Sequence, residues 1–213
     1  MKKLLVCLFL LAGVAQAQNE KYTQAMTAAL MELRSQSENP NPSALTEVTN
    51  RFERIASAEP KEWLPRYHAA FCYSNQAFMT QNMADKDRLL DKADALVEEA
   101  EKISANNDEL YVLKAYIAQA RLAADPMSRW QTYGAVFGEM LEKAKAVNAD
   151  NPRIYMLQGT NLFYTPEQFG GGKQAAKPLL EQALEKFANF KPASALHPMW
   201  GKGQAEAIAK QCQ

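Results

Sequence analysis

Residues 155–188 read YMLQGTNLFYTPEQFGGGKQAAKPLLEQALEKFA. Ala176, Leu180, Ala183 and Ala188 follow one another in steps of four, three and five. Steps of four and three place side chains on one face of a helix. Tyr155 and Gly159 begin a separate apolar segment, with Leu162 and Phe163 beside them. A small residue among large ones suits close packing of two helices. The stretch therefore reads as a helix pair interrupted by Gly170-Gly171-Gly172.

The same pattern recurs upstream. Val48, Phe52, Ile55 and Pro60 form one stripe, Ala93, Val97, Ala100 and Ala105 a second, and Phe137, Leu141, Ala144 and Ala149 a third. Ten residues beyond the end of each of these three lies a small residue, namely Ala70, Ala115 and Gly159. Each sits in an aromatic-rich helical segment. Trp63, Tyr67, Phe71 and Tyr73 surround Ala70, and Tyr111 and Tyr116 flank Ala115. Internal repetition of this kind marks a stack of supersecondary units. Alanine is abundant and β-branched runs are missing, which favours helix throughout.

The alternation resembles the tetratricopeptide repeat, in which an aromatic- and glycine-containing helix pairs with one carrying Ala, a larger apolar residue and Ala, often ending in Pro. Tyr155, Gly159, Ala176, Leu180 and Ala183 fit best, and the resemblance covers roughly residues 43–188. It implies an all-α superhelix of antiparallel helix pairs, with an N-terminal helix and a C-terminal capping helix. The stripes are spaced 45, 44 and 39 residues apart, longer than the 34 of the standard repeat. The extra length is expected between the two helices of each repeat.

Helix punctuation supports this parse. Ser128 and Gln131 have capping-box spacing, Asn151-Pro152 places a cap before a first-turn proline, and Thr165-Pro166 does the same. The linker Asn39-Pro40-Asn41-Pro42-Ser43 separates an N-terminal helix, 19–36, from the first stripe. His197-Pro198 opens a last helix, 199–211, that seals the stack.

Residues 1–17 read as a signal peptide. Lys2 and Lys3 precede the apolar run Leu4–Val14, and Ala15-Gln16-Ala17 offers a small-x-small cleavage site. Cleavage after Ala17 leaves residues 18–213 as a single domain with a formal charge of −2 and a periplasmic address. Near-neutrality gives no electrostatic reason to expect nucleic acid, and no later run is long enough to enter a membrane. Cys72 and Cys212 remain. A bridge between them is permitted by export, while burial of Cys72 as a small free hydrophobe is the competing expectation.

The usual catalytic constellations are absent from the sequence. His68 and His197 lack partners at zinc-ligand spacing. His68 reads as a buried, hydrogen-bonded histidine. Asp85, Asp87 and Asp91 lack the glycine and distal glutamate of a calcium loop and read as a solvated helix start. Gly170-Gly171-Gly172-Lys173 lacks the frame of a phosphate loop and reads as a turn. No enzyme, metal or cofactor is expected.

The expectation is a non-catalytic binding scaffold for a protein or peptide, with a small-molecule or solute-binding accessory subunit of an envelope transport system as the alternative. In the resembled family the first helices line a groove. Trp63, Arg66, Tyr67, Tyr111, Lys114, Tyr155, Gln158, Phe163 and Tyr164 are its candidates here, although packing between helices competes for any one of the aromatics. Phe169 in the glycine-bounded loop and Trp200 near the C-terminus complete the set.

Overall fold

The computed structural model describes residues 20–36 and 40–213; the signal-peptide expectation lies outside them. Helix α1 spans 20–36. It is followed by α2 (Pro42–Ala58), α3 (Leu64–Met79), α4 (Met83–Ile103), α5 (Asp108–Ala124), α6 (Pro126–Val147), α7 (Pro152–Tyr164), a 3-10 turn (Glu167–Phe169), α8 (Lys173–Asn189) and α9 (Lys202–Gln211). No strand occurs among the described residues, so the fold is all-α.

Short polar residues start most of the helices. Asn41, Asn82, Asn107, Asp125 and Asn151 each accept backbone N–H groups of the first turn, and Pro42, Pro126 and Pro152 follow three of them directly. Such caps satisfy amides that the helix itself leaves unpaired. Two expected boundaries move. Asp125, not Ser128, caps α6, and its carboxylate receives both the Ser128 amide and hydroxyl. Thr165 closes α7 by donating its hydroxyl to Asn161 O, and the short helical turn expected after it forms over Glu167–Phe169, ended by Gly170.

α3 packs along α4, α5 along α6, and α7 along α8. The pairs divide into two layers. Each of α4, α6 and α8 buries only four residues, one stripe apiece: Leu90, Ala93, Val97 and Ala100; Phe137, Met140, Leu141 and Ala144; Ala176, Leu180, Ala183 and Phe187. α3, α5 and α7 are buried on nearly every side, as inner helices must be. Phe52, Val97, Leu141 and Leu180 are all in the core. A Cβ on Gly159 would lie 2.8 Å from Leu180 Cγ, so glycine sets how closely α7 approaches α8.

The extra repeat length is helix, not loop. α4 and α6 run to 21 and 22 residues, and the connections before them are short. Within the pairs α3–α4, α5–α6 and α7–α8, a longer loop separates only α7 from α8. The acidic cluster also differs from expectation. Arg121 Nη2 donates to Asp91 and Asp94 at 2.7 Å each, and Arg129 grips both oxygens of Asp87. These pairs fasten the start of α4 to α5 and α6.

The stack is closed at both ends. Tyr22, Met26, Ala29 and Leu30 of α1 cover Leu45, Val48 and Phe52. Ile208 of α9 and Cys212, just beyond it, cover Ala176 and Leu180. Cys72 belongs to the first cluster and Cys212 to the second, and both are free thiols, so the bridge does not form. The C-terminal helix begins at Lys202, three residues later than expected, because residues 190–201 have another task.

Candidate ligand-binding cleft

Residues 190–201 form a non-helical strap that returns across the inner helices. Three polar ties hold it. Neutral His68 donates from Nε2 to Leu196 O at 2.8 Å, Arg153 donates to Pro198 O, and Trp200 Nε1 donates to Tyr67 Oη at 2.8 Å. Burial holds the His68 imidazole down at about 4, against the upward pull of the Leu196 carbonyl, so the ring is neutral at pH 7 and carries its proton on the Nε2 that meets that carbonyl. The His197 ring packs edge-on against Trp63 at 5.6 Å, and Ser194 Oγ meets its Nδ1 at 2.7 Å.

Arg153 is the centre of this arrangement. It is wholly buried, pairs with Glu109 Oε1 at 2.9 Å, and lies under the Phe190 and Trp200 rings at 4.8 and 5.5 Å. Burial pushes the Glu109 carboxyl up to about 7, with the Arg153 charge pulling the other way. Gly201 ends the strap at φ +104°, and a Cβ there would meet Phe187 and Met156 at about 3 Å. The strap must therefore turn on glycine to place Trp200.

Beside the strap opens a cleft of about 1870 Å³, larger than the roughly 300–1,000 Å³ of most small-ligand pockets. Aromatic side chains form part of its lining. Trp200 stacks on Phe71 at 4.8 Å and 25°, Tyr116 lies 5.1 Å from Trp200, and Phe78 lies 5.3 Å from Tyr116. Tyr116 Oη donates to Asn75 Oδ1 at 2.8 Å, which fixes its ring. Large apolar side chains also line it while facing solvent: Met127 is 85% exposed, Tyr164 72%, Phe169 70%, Trp130 60% and Met199 54%. Exposed apolar groups gathered on one concave surface mark a binding site, whereas scattered ones mark nothing.

The loop before α8 displays Phe169, and Tyr164 ends α7 just ahead of it. Gly170 and Gly172 have φ of +82° and +94°, and a Cβ on Gly171 would lie 2.1 Å from Thr165 O. Gly172 N–H donates to Leu162 O at 2.8 Å. The glycine run is thus a tight, bonded turn that presents Phe169 beside Tyr164.

Charge on the cleft is one-sided. Arg34 and Lys202 line it, and no Asp or Glu does among the described residues. Side chains with a metal-ligating atom that line it include His197, Met79, Met127, Met199 and Tyr164. No group of three or more His, Cys, Asp or Glu side chains able to hold a metal ion occurs among the described residues.

Of the residues singled out from sequence, Tyr164, Phe169 and Trp200 line the cleft. The others are placed elsewhere. Trp63 and Tyr67 lie under the strap. Arg66 pairs with Glu99, and Lys114 with Glu101. Tyr111 packs half-buried against the main core. Tyr155 donates to Ala149 O, with Lys186 over its ring. Gln158 is half-buried, and Phe163 packs against the α8–α9 cluster. The cleft uses the middle and C-terminal parts of α3 and the middle of α5 instead, through Phe71, Phe78, Met79 and Tyr116, together with Met127 and Trp130 of α6.

The chain superposes on the HusA haemophore from Porphyromonas gingivalis with a TM-score of 0.79, at 34% sequence identity over 90% of this chain and 92% of that one. The chain belongs to the HusA haemophore family. No protein-family profile matches the sequence, and no curated protein matches it. A HusA-type chain is thus an all-helical relative of a binding protein. None of its helices, among the described residues, is long and apolar enough to cross a membrane.

Proposed function

We propose that this chain is an exported, non-catalytic protein that binds haem or a closely related porphyrin in the cleft beside the strap. The observation that carries the reading is the cleft itself, with aromatic rings along its lining, exposed Met and aromatic residues around it, and no carboxylate on its described surface. A flat, largely apolar macrocycle gains most from stacking on rings and from polarisable thioethers. The relationship to a haemophore supplies the ligand class. This is the small-molecule alternative of the sequence reading. Of the residues expected to hold a peptide, Trp63 and Tyr67 lie under the chain's own strap.

The layered helix pairs support describing the domain as a divergent tetratricopeptide-like array. The amino-terminal signal supports export, with cleavage after Ala17 and a periplasmic or cell-surface location. N-terminal sequencing of the secreted protein tests the cleavage site.

Titration of the mature chain with haemin, followed by the Soret band and by tryptophan fluorescence, tests the ligand. Saturable binding with quenching is expected, because Trp200 and Trp130 both line the cleft. Trp130→Ala combined with Phe169→Ala removes two exposed rings. It should weaken binding about tenfold or more while leaving the melting temperature unchanged. Absence of saturable binding by the wild type, or full affinity in the double variant, overturns the proposal.

A further inference from the structure

Arg34, near the end of α1, and Lys202, at the start of α9, bring positive charge to one part of the cleft. Arg34 Nη2 donates to Met199 Sδ at 3.2 Å, and Met199 stands three residues before Lys202, so the two cations share one end. Arg34 has no ion-pair partner among the described residues, and Lys202 Nζ reaches only Glu206 at 3.9 Å, on the solvent-exposed side of its own helix. The first turn of α9 has no side-chain cap, and its amides add partial positive charge at the same place. Elsewhere the described lining holds no Lys, Arg, Asp or Glu. An apolar cleft charged at one end fits a ligand that is apolar across its body and anionic along one edge.

We infer that Arg34 and Lys202 bind the carboxylates of the ligand and thereby fix its orientation, acid edge toward α1 and α9, apolar body over Trp200. This rests on the porphyrin reading above, since it assigns that ring's side-chain acids to one end of the cleft. Guanidinium and ammonium donors to carboxylates are charge-assisted and hold position as well as adding affinity. Both cations are exposed, so their contribution is screened by salt.

The test compares protoporphyrin IX with its dimethyl ester, which has the same ring and no charge on the side chains. Both are metal-free, so iron ligation plays no part. Wild-type protein should bind the diacid about tenfold more tightly than the diester, a margin that shrinks as salt is added. R34Q/K202Q should bind the diacid about tenfold more weakly than wild type and the diester equally well. Equal wild-type affinity for the two compounds, or a diacid preference that survives in the double variant, overturns the inference and leaves the porphyrin reading standing. Failure of the wild type to bind either compound overturns both. Thermal melting of R34Q/K202Q at the wild-type temperature confirms that any loss is not unfolding.

Discussion

Trp200 Nε1 donates to the Tyr67 hydroxyl at 2.8 Å, joining residues 133 positions apart in the chain. One bond thus fastens the strap to an inner helix and fixes a ring of the cleft. Tyr67 is fully buried, and burial holds its phenol well above the ordinary range, so the hydroxyl stays protonated.

Replacing Tyr67 by Phe leaves the indole N–H without its partner and should cost about 1–3 kcal/mol. Replacing Trp200 by Ala should cost about 3–5 kcal/mol and also weaken porphyrin binding, because the ring that stacks on Phe71 beside Tyr116 is lost from the cleft. Urea unfolding measures the first effect, and porphyrin titration of Trp200→Ala at low denaturant measures the second. Unchanged binding by Trp200→Ala would mean that the ring is structural only.

Arg153→Met should be among the most damaging single changes in the chain. It strands the Glu109 carboxylate and releases Pro198 O, at a cost of about 3–5 kcal/mol. The penalty should be larger at pH 8 than at pH 5, where Glu109 takes up a proton. Equal penalties at the two values would show that Glu109 is not the group left unpaired.

His68 and Glu109 pull the acid stability profile in opposite directions. The folded-state pKa of His68 is lowered from 6.5 to about 4, so its contribution is present above pH 6.5 and lost as pH falls toward 4. Glu109 is raised from 4.5 to about 7, so its contribution is present below pH 4.5 and lost as pH rises through 7. Each amounts to about 3 kcal/mol, and between pH 4.5 and 6.5 they nearly cancel. Wild type should therefore show a flat profile there. His68→Gln should make stability fall with rising pH, and Glu109→Gln should make it rise. Chemical denaturation across that range reads the slopes, and a His68→Gln profile as flat as wild type would contradict the assignment.

The repeat was legible because each outer helix declares itself locally. Four buried residues at helical spacing on α4, α6 and α8 need only their own sequence to be recognised. The cleft was less legible because it depends on what the chain does elsewhere. Nothing near Trp63 or Tyr67 tells that residues 190–201 will lie on them. Trp130 and Gly134 precede Phe137 and Leu141 on one face, in steps of four, three and four. That is the spacing of a core stripe, yet both residues line the cleft and Trp130 is 60% exposed. Phe169 was visible because three glycines follow it in a turn with no apolar periodicity of its own, and Tyr164 because it ends an aromatic-rich helical segment.

A row of helix pairs touching only nearest neighbours can fray from either end, one layer at a time. The strap forbids that here, since a segment just before the last helix is bonded to α3 near the other end of the row. The array is clasped like a bracelet. Its layers should therefore melt together, and the bond that clasps it closes a loop of more than half the chain.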